Sequence, residues 1–283
     1  MRSSGNAVGR GENAPRPENE KRPGDRRRRA GSLTVIGLGP GDNALLAPMA
    51  TRALEACDAI VGYGTYMDLV PDSLKAGKKH IVTGMKKELD RVSAAVDAAQ
   101  DGQNVVIISS GDSGVYGMSG LALEIIEQRG LLGELAFEVV PGIPALSAAA
   151  SLLGAPLMHD FAVVSLSDLL TPWERIENRV AHAAAADFVI VLYNPRSRRR
   201  DWQLARAVER AREHRDPATP VGIVRNAYRE GQDVRTCRLD EFDPETVDML
   251  TIVIIGNSQT RFAGASLLTP RGYADKYDLK GQD

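Results

Sequence analysis

Three segments rich in glycine and proline each follow an apolar run, and they are the first candidates for a ligand site. They are residues 37–42 (GLGPGD), 109–117 (SSGDSGVYG) and 141–150 (PGIPALSAAA). Glycine lets a backbone approach a ligand closely, and an aspartate such as Asp112 can accept hydrogen bonds from hydroxyl or ammonium groups. In open α/β sheets, ligands bind beyond the carboxyl ends of the strands. Taken singly, the second segment could be a tight turn and the third could be ordinary packing of a helix on a sheet.

The first segment invites comparison with a dinucleotide-binding loop, but its spacing does not fit. Such a loop needs G-x-G-x-x-G leading directly into a helix whose amino end faces the pyrophosphate. Here Gly41 comes one position early, and the next helix is expected near Pro48, a residue that suits a first helical position. The second apolar run ends in Gly62-Tyr63-Gly64 and not in an acidic residue for the ribose. A nucleotide-binding oxidoreductase stays open as an alternative of another class, whereas no P-loop motif occurs.

Short apolar runs alternate with helical patterns along the chain. Several runs are continuous and rich in valine and isoleucine, as in strands buried on both faces of a mostly parallel sheet. The pattern predicts two α/β domains with mixed, mostly parallel sheets. The expected strands are residues 33–36, 59–61, 105–108, 137–140, 161–164, 188–192, 221–224 and 252–255, and the expected helices are residues 45–55, 89–100, 120–128, 145–153 and 202–213.

A joint between the two domains is expected near Gly154-Ala155-Pro156. The predicted organisation is a basic tail at residues 1–31, domains at 32–157 and 158–270, and a carboxyl-terminal tail at 271–283. The first segment contains almost no large apolar side chains and has four consecutive arginines near its end. We expect it to be disordered because it cannot bury enough apolar surface to offset the entropy of ordering.

Composition argues against several classes of function. No apolar run approaches the roughly 20 residues that a membrane span needs. The two cysteines, Cys57 and Cys237, offer neither a disulfide framework nor a thiolate metal site, so a reducing, cytoplasmic setting is the simplest interpretation. Residues 1–31 carry nine Lys/Arg and four Asp/Glu, whereas the rest of the chain carries 26 basic and 33 acidic residues. Such an acidic body is a poor match for nucleic acid.

Taken together, in this order and spacing, the three segments resemble those of the tetrapyrrole (corrin/porphyrin) methyltransferases. The resemblance covers residues 32–270, and residues 165–173 (SLSDLLTPW), 192–197 (LYNPRS) and 254–258 (IIGNS) are similar to members that act on corrin precursors. It implies methylation of precorrin-3B at C-17 by S-adenosylmethionine, with ring contraction to precorrin-4, in cobalamin synthesis. Another methyltransferase of the family, acting on a different precorrin, on a cobalt-precorrin or in diphthamide formation, stays open. So does a non-catalytic protein that retains the cofactor.

The resemblance also implies where the cofactor binds. In this family S-adenosylmethionine lies folded in a cleft between two α/β domains, homodimers are usual, and the substrate is a tetrapyrrole. Carried over by motif, the predicted cofactor-binding residues are Pro40, Gly111, Asp112, Ser113, Val115, Tyr116, Pro144 and Ala145 in the first domain and Asn194, Ala227 and Thr251 in the second.

Methyl transfer from a sulfonium is an in-line displacement, for which the protein supplies alignment and electrostatics. No protein-bound metal or nucleophilic side chain is therefore expected. Ring contraction is additional chemistry that needs proton delivery. Ser167 and Asp168, which follow the apolar run at 161–164, and His159 are the candidate catalytic residues. For each of them a purely structural role is the alternative.

A run of arginines suggests where an anionic substrate binds. Ser197 is expected to cap a helix that begins at Arg198, so that residues 198–200 crowd its first turn against the helix dipole. A bound anion would explain that arrangement, and precorrins carry acetate and propionate arms that arginine binds in a bidentate manner. Arg196 and Arg198 are therefore the predicted substrate-binding residues, and a solvated surface run is the equal alternative.

Overall fold

The first half of the protein contains a five-stranded parallel sheet. The computed structural model describes residues 31–84 and 86–279. The strands of this sheet are β1 (Ser32–Gly37), β2 (Ala59–Tyr63), β3 (Lys79–Thr83), β4 (Asn104–Ser109) and β5 (Ala136–Val140), and the helices between them are α1 (Pro48–Ala56), α2 (Gly64–Met67), α3 (Asp72–Lys75), α4 (Glu88–Gln100) and α5 (Ser119–Gln128). The strand order is β3-β2-β4-β1-β5, so the carboxyl ends of all five strands meet at one edge.

The second half contains a mixed five-stranded sheet. After α6 (Ala145–Leu153) and β6 (Gly154–Ala155) come β7 (Phe161–Ser165), α7 (Trp173–Ala185), β8 (Val189–Tyr193), α8 (Gln203–Arg212), β9 (Pro220–Arg225), β10 (Asp233–Arg238), β11 (Thr251–Ile255), β12 (Arg261–Ala263), β13 (Ser266–Leu268) and α9 (Tyr273–Lys276). The order is β10-β9-β11-β8-β7, and β12, β13 and β6 form a small third sheet.

Both large sheets are covered on their two faces, which explains the continuous apolar runs of their central strands. In the first sheet, Leu33 and Val35 of β1 pack towards α4 and α5, whereas Ile36 packs with the residues of α1. In the second sheet, α7 and α8 cover one face, and α6 covers the other together with β13. Helix α6 precedes the expected joint in the chain but packs on the second sheet. It therefore connects the two halves, and the domain boundary at residues 157/158 stays a prediction.

The predicted α/β fold is confirmed, and the second sheet carries fewer parallel pairings than the first. Only β7 and β8 are parallel there, whereas β8–β11, β11–β9 and β9–β10 are antiparallel. Strands β9 and β10 are joined by a loop too short for a crossover helix, and a short loop permits an antiparallel pairing alone. Because β11 is antiparallel to both β8 and β9, its amino end lies beside their carboxyl ends.

All eight expected strands are present, and each expected helical pattern contains a helix. The sequence analysis missed β3 and β10, which are edge strands with mostly exposed, polar side chains, and it missed α7. The helix predicted to begin at Arg198 is wrong, because α8 begins at Gln203. Instead, Ser197 and Arg200 exchange backbone hydrogen bonds of 2.8 and 3.1 Å, which close a tight turn. The arginines at 198–200 are therefore not in the first turn of a helix.

The predicted disordered tail, apart from Gly31, lies outside the described residues. Of the predicted carboxyl-terminal tail, residues 271–279 are described and contain the short helix α9. Within the described ranges, no helix has the length and apolar character that crossing a bilayer requires.

Candidate functional site

The three glycine-rich bends meet backbone to backbone at the carboxyl edge of the first sheet. Gly39 and Gly111 exchange backbone hydrogen bonds of 3.0 and 2.9 Å, which join the first bend to the second. Asp112 joins the second to the third, because its Oδ2 accepts from the backbone N–H of Gly142 at 2.9 Å. A Cβ on Gly142 would overlap the carbonyl oxygen of Gly111 and lie 2.8 Å from the Cα of Gly37. The close approach of the three bends therefore requires glycine at position 142.

These bends form one wall of a cleft of about 460 Å³ between the two halves. This volume lies within the range of roughly 300–1,000 Å³ that is typical of small-molecule sites. Ten of the eleven predicted cofactor-binding residues line it: Pro40, Gly111, Asp112, Val115, Tyr116, Pro144, Ala145, Asn194, Ala227 and Thr251. The exception is Ser113, which is buried and bonds through its hydroxyl to Ser119 Oγ at 2.8 Å. Ser113 thus supports the second bend from behind.

The cleft has further lining residues that sequence reasoning missed. They are Tyr63, Thr65, Tyr66, Ser110, Tyr193, Val224, Asn226, Arg229, Met249, Leu250 and Ile252. Tyr63 could have been predicted from the sequence. It ends strand β2, and ligands bind beyond the carboxyl ends of such strands. The segment Met249–Ile252 reaches the cleft because β11 runs antiparallel to its neighbours, and no local pattern indicates that direction.

Two tyrosines connect the halves at the floor of the cleft. Tyr116 donates from its hydroxyl to the carbonyl of Val163 at 3.1 Å, and its ring lies 5.2 Å from that of Tyr193, centroid to centroid. The hydroxyl of Tyr193 accepts from the backbone N–H of Leu146 at 2.8 Å, which satisfies one open donor in the first turn of α6. Burial raises the pKa of Tyr193 to about 12, so this hydroxyl keeps its proton at neutral pH.

Backbone conformations that are rare for side-chain-bearing residues concentrate around the cleft. Tyr116, Asn194, Asn226 and Tyr228 have φ of +54°, +52°, +49° and +56°. Each such residue costs free energy that the surrounding structure must offset, and such residues cluster at ligand sites. Asn194 is held by its side chain, which donates to Ser165 Oγ at 2.9 Å, and by its carbonyl, which accepts from Arg200 Nε at 3.0 Å. These contacts fix the second wall of the cleft.

The three candidate catalytic residues are not brought together in the cleft. Ser167 and Asp168 follow β7 but do not line the cleft. The carboxylate of Asp168 instead accepts a hydrogen bond from Gln203 Nε2 at 2.7 Å. His159 precedes the amino end of β7, whereas the cleft lies at the opposite end of that strand. Its Nδ1 accepts from the backbone N–H of Asp160 at 2.9 Å. The side chains of Asp168 and His159 thus have partners outside the lining of the cleft, and the backbone N–H of Ser167 donates to Ser165 Oγ at 3.3 Å.

The two predicted substrate arginines also lie outside the lining of the cleft. Arg196 is engaged by Glu245, with 2.5 Å between Nη2 and Oε2. Arg198 is exposed within the tight turn that replaces the expected helix start. The dipole argument that selected them therefore does not apply.

A second hollow, of about 430 Å³, lies between α1 and the flank of the first sheet. It is lined by Thr34, Arg52, Val106 and Glu138 among others. This hollow contacts none of the three glycine-rich bends, so the cleft is the candidate ligand site.

The comparisons with known proteins agree with this geometry. The family model "Tetrapyrrole (Corrin/Porphyrin) Methylases" matches residues 32–243. The chain belongs to this family. It is accordingly a methyltransferase, and the resemblance predicted from the three bends is confirmed.

Among relatives of this methylase, one from Salmonella typhimurium named "Probable cobalt-factor III C(17)-methyltransferase" is 48% identical over 85% of this chain and 99% of its own length. "Cobalt-factor III methyltransferase" of Priestia megaterium is 46% identical over 88% of this chain and 46% of its own length, so the chain spans about half of that relative. A crystal structure of the methyltransferase CobJ is 39% identical, covers 85% of this chain and 100% of its own, and has a TM-score of 0.81.

Proposed function

We propose that this methylase transfers the methyl group of S-adenosylmethionine to C-17 of a corrin precursor during cobalamin synthesis, with contraction of the ring. The observation that carries the proposal is the convergence of ten predicted cofactor residues on one cleft. They come from six separate segments of the chain. The cleft also satisfies the rule that α/β proteins bind ligands at the carboxyl edge of the sheet.

The donor set of the cleft fits this cofactor. Among the described residues that line it, Asp112 carries the one carboxylate and Arg229 the one guanidinium. Asp112 uses one lone pair of each oxygen for Gly114 N and Gly142 N, at 2.8 and 2.9 Å, and a carboxylate has about four acceptor sites. It can therefore still receive the ammonium group of the methionine end. Asn194, Ala227 and Thr251 would hold the adenosine across the cleft.

When bound, the cofactor supplies an already activated methyl group. The chain's own residues therefore have to align the cofactor with the substrate and to exclude water. The rings of Tyr116 and Tyr193 and the side chains of Val115, Pro144 and Ala145 form an apolar surface beside Asp112. Holding two reactants in line converts a bimolecular step into an effectively unimolecular one. The rigid bends and the tyrosine contacts across the halves provide that alignment.

Two substrates are candidates, precorrin-3B and its counterpart that carries cobalt. The family resemblance suggests the former, whereas relatives that are 46–48% identical are named for cobalt-factor III. In the second case the cobalt arrives within the substrate. We further propose that the protein acts in a reducing cytoplasm. We also propose that it is a homodimer, for which light scattering should give a particle of twice 30.5 kDa.

Incubation of the full chain with labelled S-adenosylmethionine and each substrate in turn tests the proposal. We expect one of the two to gain a labelled methyl group at C-17, read from product mass and from magnetic resonance, together with the absorbance change of a contracted ring. Omission of the chain and addition of excess S-adenosylhomocysteine are the controls. Binding of the cofactor with no methylated product from either substrate would instead favour a binding protein without turnover.

A further inference from the structure

Arg229 crosses the cleft from the second half of the molecule to the first. It lies in the loop between β9 and β10, and its guanidinium donates through Nε to the carbonyl of Pro40 and through Nη2 to Ser110 Oγ at 2.7 Å. Pro40 belongs to the first glycine-rich bend and Ser110 to the second. One side chain thus contacts two of the bends that form the opposite wall.

The charge of Arg229 has no anionic partner within the described part of the chain. None of the ion pairs found there includes it. Burial lowers the pKa of its guanidinium, and Tyr66 acts in the opposite direction. Taking a cation out of water is unfavourable unless a counter-charge repays it. Two neutral oxygens use two of its five N–H donors and supply no such charge.

The surrounding backbone is built around this side chain. Gly41, at φ +140°, leaves the space in which Arg229 lies, since a Cβ there would come within 2.6 Å of its Cγ and 2.7 Å of its Nε. The loop that carries Arg229 has two non-glycine residues at positive φ, Asn226 and Tyr228. Two hydrogen bonds hold this loop. The backbone N–H of Asn226 donates to the carbonyl of Leu250 at 3.1 Å, and the backbone N–H of Tyr228 donates to Gln232 Oε1 at 2.8 Å. The placement of the arginine is therefore a defined feature of the fold.

We propose that Arg229 binds a carboxylate arm of the tetrapyrrole substrate and so helps to select and orient it; this inference rests on the proposed function. The arginine lies beside the aromatic pair Tyr63 and Tyr66, whose rings are 5.4 Å apart. Aromatic surface suits the face of a flat macrocycle, and a guanidinium fork suits the carboxylates at its edge. On binding, the fork exchanges the neutral oxygens of Pro40 and Ser110 for the charged arm.

A carboxylate is also present at the methionine end of the cofactor, and the test has to separate the two sources. The variants are Arg229→Met, which keeps the apolar stem, and Arg229→Lys, which keeps the charge and loses the fork. Arg238→Met is the control, because Arg238 is an exposed arginine at the end of β10 that pairs with Asp240 away from the cleft. Affinity for S-adenosylhomocysteine and for cobalt-factor III, the latter titrated with S-adenosylhomocysteine present, is measured by calorimetry and absorbance.

We expect Arg229→Met to weaken binding of cobalt-factor III at least tenfold and to change binding of S-adenosylhomocysteine less than twofold. Arg229→Lys should lie between wild type and Arg229→Met, and the Arg238 control should match wild type in both. Unchanged corrinoid affinity, or an equal loss for both ligands, would overturn the inference.

Failure of this inference can be told apart from failure of the proposed function. The titrations measure binding without turnover, so they report on Arg229 even if the wild-type chain yields no methylated product. Conversely, a wild-type chain that methylates its substrate, together with an Arg229→Met variant that binds the corrinoid normally, would refute the role of Arg229 alone.

Discussion

Replacing Gly142 with alanine is expected to lower the affinity for S-adenosylhomocysteine at least ~100-fold, a loss of about 2.7 kcal/mol or more. The new methyl group would overlap the carbonyl oxygen of Gly111 and crowd the backbone of Gly37. These are backbone atoms of two other bends, so no flexible side chain can give way. The third bend must therefore move out, and the wall of the cleft opens. Calorimetric titration measures the affinity, and chemical denaturation should show a loss of about 1–3 kcal/mol in the free energy of unfolding.

Gly120→Ala is the matched control for this variant. Gly120 lies in helix α5, and a Cβ there would meet nothing within 4 Å. Alanine is favoured over glycine inside a helix by about 1 kcal/mol, so this change should leave cofactor affinity unaltered and stability equal or higher. If Gly142→Ala bound S-adenosylhomocysteine as tightly as the control does, the close approach of the three bends would have no part in the site.

Replacing Asp112 with asparagine is expected to weaken S-adenosylhomocysteine binding by ~10–100-fold. Its two carboxylate oxygens accept from Gly114 N and Gly142 N, and hydrogen bonds to charged groups contribute about 1.5–3 kcal/mol. An amide of the same shape turns an NH₂ group towards one of the two backbone donors. The variant loses this connection between bends and also loses the negative charge that faces the ammonium of the cofactor. Calorimetry again gives the affinity.

Asp216→Asn provides the comparison, because Asp216 Oδ1 accepts from the backbone N–H of Ala218 at 2.7 Å in an exposed turn. It has a similar local bond but lies outside the lining of the cleft. We expect wild-type affinity from it. Equal affinities for the two variants would mean that Asp112 serves only its own loop.

The position of the first wall could be predicted from the sequence because the rule behind it is local, whereas its individual cofactor residues were implied by the family resemblance. A buried parallel strand is recognised from a continuous apolar run, and its carboxyl end is then where a ligand lies. The bends after β1, β4 and β5 were found in this way. Tyr63 and Tyr66, at and after the end of β2, follow the same rule and line the cleft. The sequence analysis did not predict them, because this segment has neither the glycine- and proline-rich pattern of the three bends nor an acidic residue.

The residues of the second wall depend on topology that no short segment encodes. Thr251 pairs with Arg225 because β11 runs antiparallel to β9, and this pairing brings Met249 and Leu250 to the cleft. Asn194, Ala227 and Thr251 were predicted through the family resemblance alone. Arg229 was missed because its contacts, Pro40 and Ser110, lie 189 and 119 residues away in the chain.

The error at residues 197–200 has a local physical cause. The helix expected at residues 202–213 is present, and α8 begins at Gln203. Extending that helix back to a serine cap overlooked a competing structure, in which Ser197 and Arg200 close a turn and Arg200 binds the carbonyl of Asn194. Of the three arginines at 198–200, Arg200 is buried and supports the second wall through its bond to Asn194.

A crystal structure of the full chain with S-adenosylhomocysteine tests the central claim most directly. We predict a folded ligand between the halves, with its methionine end at Gly111–Tyr116 and its adenosine against Asn194, Ala227 and Thr251. Ligand density in the hollow beside α1, or at any place that leaves the three bends without contact, would contradict the account.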